Sequence, residues 1–246
     1  MSQEKSPETK EKKPKSKAPV IIGAIVLLSI CVPYCYYAYE ANVYGNANKP
    51  EGFYFPQFKD LYMTLIGGVV CFIAKKITIM LTYNLFYAVA KKTEPEDLRV
   101  GYAEKAAHKL YQMIYFVIST YWGWSVLKDT DWLPWYLGGM KDGKYSNLSQ
   151  GFPFAPYPRA VYEYSLYTFG FHMEGLVGHA LFDERKNDYE EMFLHHVATC
   201  SLYFGYIFSN FMGIGSIIAY LHDIADIFAH GAKVFGSTKY QGMAVL

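Results

Sequence analysis

The chain has 246 residues, of which 52% are hydrophobic and 18% charged, and its formal net charge is +1. The charged fraction is below the roughly 25% of soluble domains, and the near-zero net charge gives no reason to expect a nucleic-acid partner. The apolar residues also fall into long uncharged runs, which argues against an ordinary soluble domain and predicts a polytopic membrane protein.

Residues 1–17 form a charged N-terminal tail with six Lys and three Glu, and such a segment cannot bury a core. The uncharged run that follows, residues 18–39, is too long for the apolar core of a cleaved signal peptide. We therefore predict a first transmembrane anchor helix over residues 18–39.

Residues 40–98 contain a loop and a second membrane segment, the apolar stretch 61–90. Two charged residues, Lys75 and Lys76, interrupt this stretch. One long tilted helix is our prediction for it, and a membrane helix followed by an interfacial helix is the alternative.

The rest of the chain, residues 99–246, is predicted to contain four further spans. A loop rich in Gly, Pro and aromatic residues, 128–159, separates the third span from the fourth. The fifth and sixth spans have almost no loop between them, so we expect them to be antiparallel neighbours. These four spans are 110–127, 160–182, 192–211 and 213–235.

The distribution of Lys and Arg predicts the orientation of the bundle, because loops on the inner side of a membrane are enriched in these residues. With both termini inside, the inner segments hold 15 Lys and Arg and the outer loops hold 6. The predicted fold class is therefore all-α, a polytopic membrane helical bundle of about six transmembrane helices with its N-terminus inside.

The sixth span carries five ionisable residues. Such side chains are costly in hydrocarbon and normally face a bundle interior, where they have a function. His222, Asp226 and His230 recur every four residues and form one stripe of the helix, which Lys233 continues. Asp223 lies on a neighbouring face, three residues before Asp226.

The fifth span carries an adjacent pair, His195 and His196, and Thr199 lies about one turn from His196. Two antiparallel helices would thus present two His and two Asp to a shared cavity. A carboxylate orients an imidazole and raises its basicity. In a dry site, such a base deprotonates an amine or accepts an acyl group.

Two other interpretations of these residues stay open. A buried His or Asp can simply bind a neighbouring helix and hold the bundle together. Four of the histidines could also bind a metal ion. Because the H-x-x-x-H and H-x-x-H-H spacings of membrane di-iron oxygenases are absent, we predict no metal site. The four histidines are His195, His196, His222 and His230.

Two segments near the C-terminus resemble the Lag motif of the ceramide synthase branch of the TLC-domain family. The first is RKNDYEEMFLHHVAT, residues 185–199, and the second runs from Asn210-Phe211 through His222-Asp223-Ile224-Ala225-Asp226 to Lys233. On this resemblance, residues 99–246 form a TLC-like domain with a Lag-type motif at 185–239.

The resemblance implies a barrel of transmembrane helices in which the acyl group of an acyl-CoA is joined to the amine of a sphingoid base. One His would carry or receive the acyl group, and an Asp would orient it or help to deprotonate the amine. The family's domain continues for two helices beyond the motif, so we expect a truncated TLC-type barrel that ends at Leu246. The implied catalytic residues are His195, His196, His222, Asp223 and Asp226.

Two functions follow as hypotheses. The first is a non-catalytic, TLC-fold accessory subunit of a large membrane complex, a mitochondrial respiratory complex or ATP synthase, which holds lipid in its polar cavity. The alternative is an active ceramide synthase-like N-acyltransferase of the endoplasmic reticulum. The residues that would line the lipid or substrate cavity are His172, Glu174, Thr199, Asn210, His230 and Lys233.

Both hypotheses make the chain an integral membrane protein, of the mitochondrial inner membrane or of the endoplasmic reticulum. We expect membrane lipids and other subunits as partners, and no cofactor beyond acyl-CoA as the co-substrate of an active enzyme. A glycosylation sequon, Asn147-Leu148-Ser149, lies on the predicted outer side and matters only in the secretory pathway.

Overall fold

The computed structural model describes residues 18–90, 95–141, 143–182 and 189–236. In these residues the fold is all-α, and the expected membrane helical bundle is confirmed. Short 3-10 turns lie at Phe58–Asp60, Trp135–Leu137 and Tyr145–Asn147. The six long helices are α1 (Ala18–Asn48), α2 (Leu61–Val89), α3 (Glu96–Leu127), α4 (Arg159–Phe182), α5 (Tyr189–Phe208) and α6 (Met212–Gly236).

Two helices extend beyond the apolar runs that predicted them. Helix α1 continues to Asn48, well past residue 39. Helix α3 begins at Glu96, not at residue 110, and its first turn contains Glu96 and Asp97. Negative charges in a first turn interact favourably with the helix dipole, so the helix forms before its apolar part begins. Hydrophobicity alone reports only the part of a helix that lies among apolar surroundings.

The stretch interrupted by Lys75 is one continuous helix, α2, as predicted. Its length and composition make it a candidate membrane span, as do those of α1 and α6. The outward faces of α1 and α2 are largely apolar: Ile22, Leu65 and Leu81 expose 62%, 70% and 71% of their surface. Exposed aliphatic side chains along whole helices indicate contact with lipid. The chain is therefore an integral membrane protein.

Helix α4 is the central element of the bundle. It packs against α2 and α5, and most of its side chains between Val161 and Phe171 are buried. The contact with α2 is close because both helices carry a glycine there. A Cβ on Gly170 would lie 2.4 Å from the carbonyl oxygen of Thr64, so only glycine permits this approach.

The last two helices separate after the turn that joins them. Helix α6 packs mainly against α3, whereas α5 packs against α1 and α4. The two helices are in contact near their shared turn, where Gly215 lies against the ring of Tyr206. The sequence predicted that these helices would be antiparallel neighbours; they adjoin at this turn, while α6 takes most of its contacts from α3. We call the region between the exposed His195 of α5 and the exposed His222 of α6 the α5–α6 gap.

Candidate functional site

The most deeply buried of the predicted catalytic residues is Asp223, which is 2% exposed. Its Oδ2 accepts two hydrogen bonds, one from Ser119 Oγ on α3 at 2.6 Å and one from the hydroxyl of Tyr164 on α4 at 3.1 Å. Burying a carboxylate is costly unless it is hydrogen-bonded, so these contacts account for its position. Asp223, Ser119 and Tyr164 are called the Asp223 cluster below.

Aromatic rings and a glycine enclose the Asp223 cluster. Trp122 packs edge-on against Tyr164, with ring centroids 5.5 Å apart. Gly123 lies directly beside the tyrosine hydroxyl, and a Cβ at that position would come within 2.8 Å of the oxygen. The cluster is therefore shielded from bulk water, and hydrogen bonds in such surroundings are stronger than in water.

The histidine pair of α5 packs against α4. The ring centroids of His195 and His196 are 5.7 Å apart, and the ring of His196 is 5.6 Å from that of His179 on α4. Gly175 of α4 lies against His196, since a Cβ there would be 3.2 Å from Cε1 of the ring. The small residue lets α5 approach α4 at the level of the pair.

A third histidine, His172 of α4, is close enough to interact electrostatically with His195, His196 and His222. Its ring packs against Tyr203, with centroids 4.7 Å apart. Histidines from α4, α5 and α6 thus lie within electrostatic range of one another.

Asp226 is the carboxylate that accompanies these histidines. It is half-buried and interacts electrostatically with His222 and His195, and with Lys233 and Lys109. His195 and His222 are both exposed, so this side of the site opens into the α5–α6 gap. We call the five residues that these interactions relate the histidine group. They are His172, His195, His196, His222 and Asp226.

The two carboxylates of the motif have different partners. The sequence placed Asp223 and Asp226 in one shared cavity with the histidines. In the structure Asp226 lies with the histidines, and both hydrogen bonds that Asp223 accepts come from hydroxyls of α3 and α4. Residues three apart on a helix differ by about 60° in direction, which suffices to point them at different neighbours.

Glu174 forms an ion pair with Lys75 of α2, and these side chains are 10% and 16% exposed. This contact explains how α2 accommodates a lysine in an apolar helix, because a buried charge requires a partner. Glu174 therefore links α4 to α2, and it was expected in the cavity with the histidines.

Thr199 and Asn210 also have structural partners. Thr199 Oγ1 donates to the carbonyl oxygen of His195 in its own helix at 2.9 Å. Asn210 is fully buried in the turn between α5 and α6, with a positive φ of 59°. Its Nδ2 donates to the carbonyl oxygen of Pro153 at 2.7 Å, and its Oδ1 accepts from the hydroxyl of Tyr162. Asn210 thus fixes the turn and the loop that covers it.

The remaining two cavity candidates lie towards the end of α6. The ring of His230 stacks on Phe116 of α3, with centroids 5.3 Å apart. Lys233 is exposed one turn later, and both it and Lys109 interact electrostatically with His230. These contacts extend the α3–α6 interface beyond the Asp223 cluster.

An apolar cavity of about 310 Å³ lies between α2, α3 and α4. Ser119 is part of its wall and connects it to Asp223. In the part of the chain that the structure describes, no three His, Cys, Asp or Glu side chains are placed to hold a metal ion. Residues 185–188 of the predicted motif, the tail 1–17 and residues 237–246 lie outside the described residues.

Sequence reasoning did not find Ser119, Tyr164 or Gly123. Single Ser, Tyr and Gly residues in apolar helices are common, so nothing in the local pattern distinguished them. The spacing of Ser119 and Gly123, four residues apart on α3, was the available signal, because two small residues at that spacing permit close packing of another helix.

Comparisons with known proteins agree with the family resemblance of the Lag-type motif. Residues 105–246 match the model of the TLC domain. The chain is similar to ceramide synthase hyl-1 of Caenorhabditis elegans, with 30% identity over 135 residues, which are 55% of this chain and 34% of the relative. It is also similar to ceramide synthase hyl-2 of the same organism, with 24% identity over 82% of this chain and 60% of the relative.

A human relative, ceramide synthase 5, is 33% identical over 91 residues, which are 37% of this chain and 23% of that protein. In all three alignments the chain spans less than two thirds of the relative's length.

Proposed function

The chain belongs to the TLC-domain family and is a ceramide synthase-like membrane protein, and on that premise we propose that it is an N-acyltransferase. Its substrates would be an acyl-CoA and a sphingoid base. The observation that supports this proposal best is the histidine group, in which the rings of His195 and His196 are 5.7 Å apart. His172 interacts electrostatically with both rings, and the half-buried Asp226 interacts with His195 and His222. Imidazoles in such surroundings act as nucleophiles and bases in acyl transfer.

In the proposed first step, one imidazole of the His195–His196 pair attacks the thioester carbonyl carbon. A bond between carbon and nitrogen forms, the carbon–sulfur bond breaks, and the thiolate of CoA leaves and takes up the proton lost by the imidazole. Asp226, which interacts with His195, stabilises the positive charge that develops on the ring.

In the second step the neutral amine attacks the acyl-imidazole. The new amide bond forms and the bond between the acyl carbon and the imidazole nitrogen breaks. The proton lost by the amine passes to a carboxylate, which we assign to Asp223, and from it to the departing imidazole, so that both side chains return to their starting state. The sum of both steps converts acyl-CoA and amine into amide and free CoA. The two carboxylates thus have separate tasks, as their separate surroundings suggest.

The test is an N-acylation assay on membranes that contain this chain alone, with acyl-CoA and a sphingoid base. We expect product from the wild type and none above background from His195→Ala/His196→Ala. The matched control is His108→Ala, which removes a histidine of α3. If the wild type is inserted in the membrane but forms no product, or if the double variant remains active, the proposed function is wrong.

A second candidate function is a non-catalytic accessory subunit of a membrane complex that holds lipid. The observation in its favour is the exposure of His195 and His222, which leaves the histidine group open towards the α5–α6 gap. A partner subunit or bound lipid would close that gap. This candidate predicts migration in native gels far above 28.1 kDa together with absent acylation. Migration as a small species with acylation activity would exclude it.

We propose the endoplasmic reticulum as the location, with the N-terminus on the cytoplasmic side. The loop with the sequon would then face the lumen. Asn147 is half-buried and its Nδ2 donates to the carbonyl oxygen of Asp131 at 3.0 Å. A gel shift on glycosidase treatment that Asn147→Gln abolishes would support this location. Enrichment of an unglycosylated chain in mitochondria would favour the inner mitochondrial membrane.

A further inference from the structure

Two hydroxyl groups from different helices donate to the same oxygen of Asp223. We propose that Ser119 and Tyr164 are positioning residues that hold Oδ2 of Asp223, so that Oδ1 is the atom that accepts a proton from the reacting amine. This inference rests on the proposed N-acyltransferase function. It adds two residues to the site that neither the motif nor the sequence pattern contains.

The hydrogen bonds determine which oxygen is available. A hydroxyl has one proton to donate, and Ser119 and Tyr164 both use theirs on Oδ2, at 2.6 and 3.1 Å. Neither bond engages Oδ1. Hydrogen bonds to a carboxylate are short and strong, particularly where water is excluded. The carboxylate plane is therefore fixed in orientation before a substrate binds.

Burial supports the same conclusion. Ser119 and Tyr164 are 2% and 0% exposed, so water does not compete for their hydroxyl groups. Because the donors come from α3 and α4, they hold α6 at a defined rotation about its axis. A catalytic group held by packed neighbours keeps its geometry to within about half an ångström, which efficient catalysis requires.

Helix α3 provides the space for the tyrosine hydroxyl. A Cβ on Gly123 would lie 2.8 Å from the Tyr164 oxygen and 3.0 Å from Cζ, closer than real Cβ atoms approach. Gly123→Ala should therefore displace the hydroxyl from Asp223 without changing either residue of the hydrogen bond. Gly101 lies on the same helix, and a Cβ added there would meet no atom within 4 Å, so Gly101→Ala is a matched control.

The main experiment measures kcat and KM of Tyr164→Phe and Ser119→Ala in purified full-length protein. Tyr164→Phe is the cleaner change, because Ser119 also lines the apolar cavity. Loss of one hydrogen bond to a carboxylate should lower kcat about tenfold or more, with KM for acyl-CoA unchanged. Ser119→Thr, which keeps the hydroxyl, should recover most of the rate. Gly123→Ala should resemble Tyr164→Phe.

Two controls separate positioning from general destabilisation. Tyr121→Phe changes an exposed tyrosine of α3, and Ser125→Ala removes a hydroxyl that bonds only its own helix, to Trp122 O at 2.7 Å. Both should retain kcat within about twofold. A second readout is the infrared band of the Asp223 carboxyl group, identified by its loss in Asp223→Asn. It should shift in Tyr164→Phe and in Ser119→Ala.

The outcomes distinguish this inference from the function on which it rests. An active wild type whose kcat and carboxyl band are unchanged in both variants overturns the positioning role alone. A low rate that Ser119→Thr does not restore, accompanied by a loss of folded protein, also overturns it, because the residues would then act only on stability. A wild type without turnover overturns the proposed function and the positioning role with it.

Discussion

Asp223 and Asp226 are one turn apart on α6, yet they lie in two different environments. Asp223 is 2% exposed and bound by two neutral hydroxyl groups, whereas Asp226 is half-buried among histidines and lysines at the α5–α6 gap. Identical side chains in such different surroundings are suited to different tasks. Under the proposed function, Asp223 would accept the proton of the amine and Asp226 would stabilise the charge on the imidazole.

The difference arises from how α6 packs. Helix α6 takes most of its contacts from α3, whereas α5 is held by α1 and α4. A single helix thus forms one wall of a dry cluster and one wall of an open site. The position of α6 therefore controls both regions, and substitutions that affect them separately test the comparison.

The largest effect is expected from Asp223→Asn. The side-chain amide of this variant keeps an oxygen that accepts hydrogen bonds from Ser119 and Tyr164. It cannot accept the proton of the attacking amine. We expect turnover to fall by about a thousandfold or more, while the amount of protein in the membrane stays unchanged. The measurement is the acylation rate per inserted protein. A rate equal to that of the wild type would remove the catalytic assignment of Asp223.

Asn210→Ala should have the next largest effect, on stability. It removes hydrogen bonds to Pro153 and Tyr162 from a buried turn and places a non-glycine, non-asparagine residue at φ 59°. We expect about 3 kcal/mol of destabilisation. Glycine adopts a positive φ without strain but restores none of the side-chain hydrogen bonds, so Asn210→Gly should destabilise the protein less than Asn210→Ala.

Thermal unfolding in detergent measures both Asn210 variants. Because this turn joins α5 to α6, a change in it should displace both the Asp223 cluster and the histidine group. We therefore expect the activity to fall together with the stability. An alanine variant as stable as the wild type would show that the turn does not depend on Asn210.

Glu174→Gln tests an ion pair that lies on another face of α4. It leaves the Lys75 ammonium group without its partner in mostly buried surroundings, and we expect about 2 kcal/mol of destabilisation after allowing for the partial exposure. The double variant Lys75→Met/Glu174→Leu should recover most of this loss. Since neither residue belongs to the two regions, kcat per folded molecule should not change. A large fall in kcat would place Glu174 in the site after all.

Asp226→Asn should have the smallest effect of the four. The lysines near Asp226 and its exposure towards the α5–α6 gap weaken the electrostatic effect of this one carboxylate. We expect kcat to fall about tenfold, with the protein fully folded. The comparison of the two regions fails if Asp226→Asn is as damaging as Asp223→Asn, measured in the same membranes.

Much of this arrangement could be predicted from the sequence, and the reasons are physical. Apolar runs predicted six helices, because a helix that lies in lipid requires a continuous run of apolar residues. The resemblance to the Lag motif pointed to the His pair and the two Asp residues as a candidate site, and their role stays a prediction. Helical spacing places residues 222 and 226 on one face, and Asp226 interacts electrostatically with His222 and His195 in the structure.

What the sequence did not reveal depends on contacts between helices. The partners of Asp223 lie 104 and 59 residues away, and no local pattern indicates such pairs. Asn210 was expected in the cavity, but its positive φ is a property of a turn whose geometry only the assembled bundle defines. The start of α3 at Glu96 was missed because its first turns are polar.

The most direct test of the central claim is to trap the acyl group on the protein. Purified chain would be incubated with radiolabelled acyl-CoA, without amine, and digested to find the label. We predict label on peptides of α5 that contain His195 and His196, release of the label as amide on addition of a sphingoid base, and no label in His195→Ala/His196→Ala. Asp223→Asn should take up the label but release it slowly. A wild type that takes up no label, or a double variant that still does, would contradict acyl transfer through this pair.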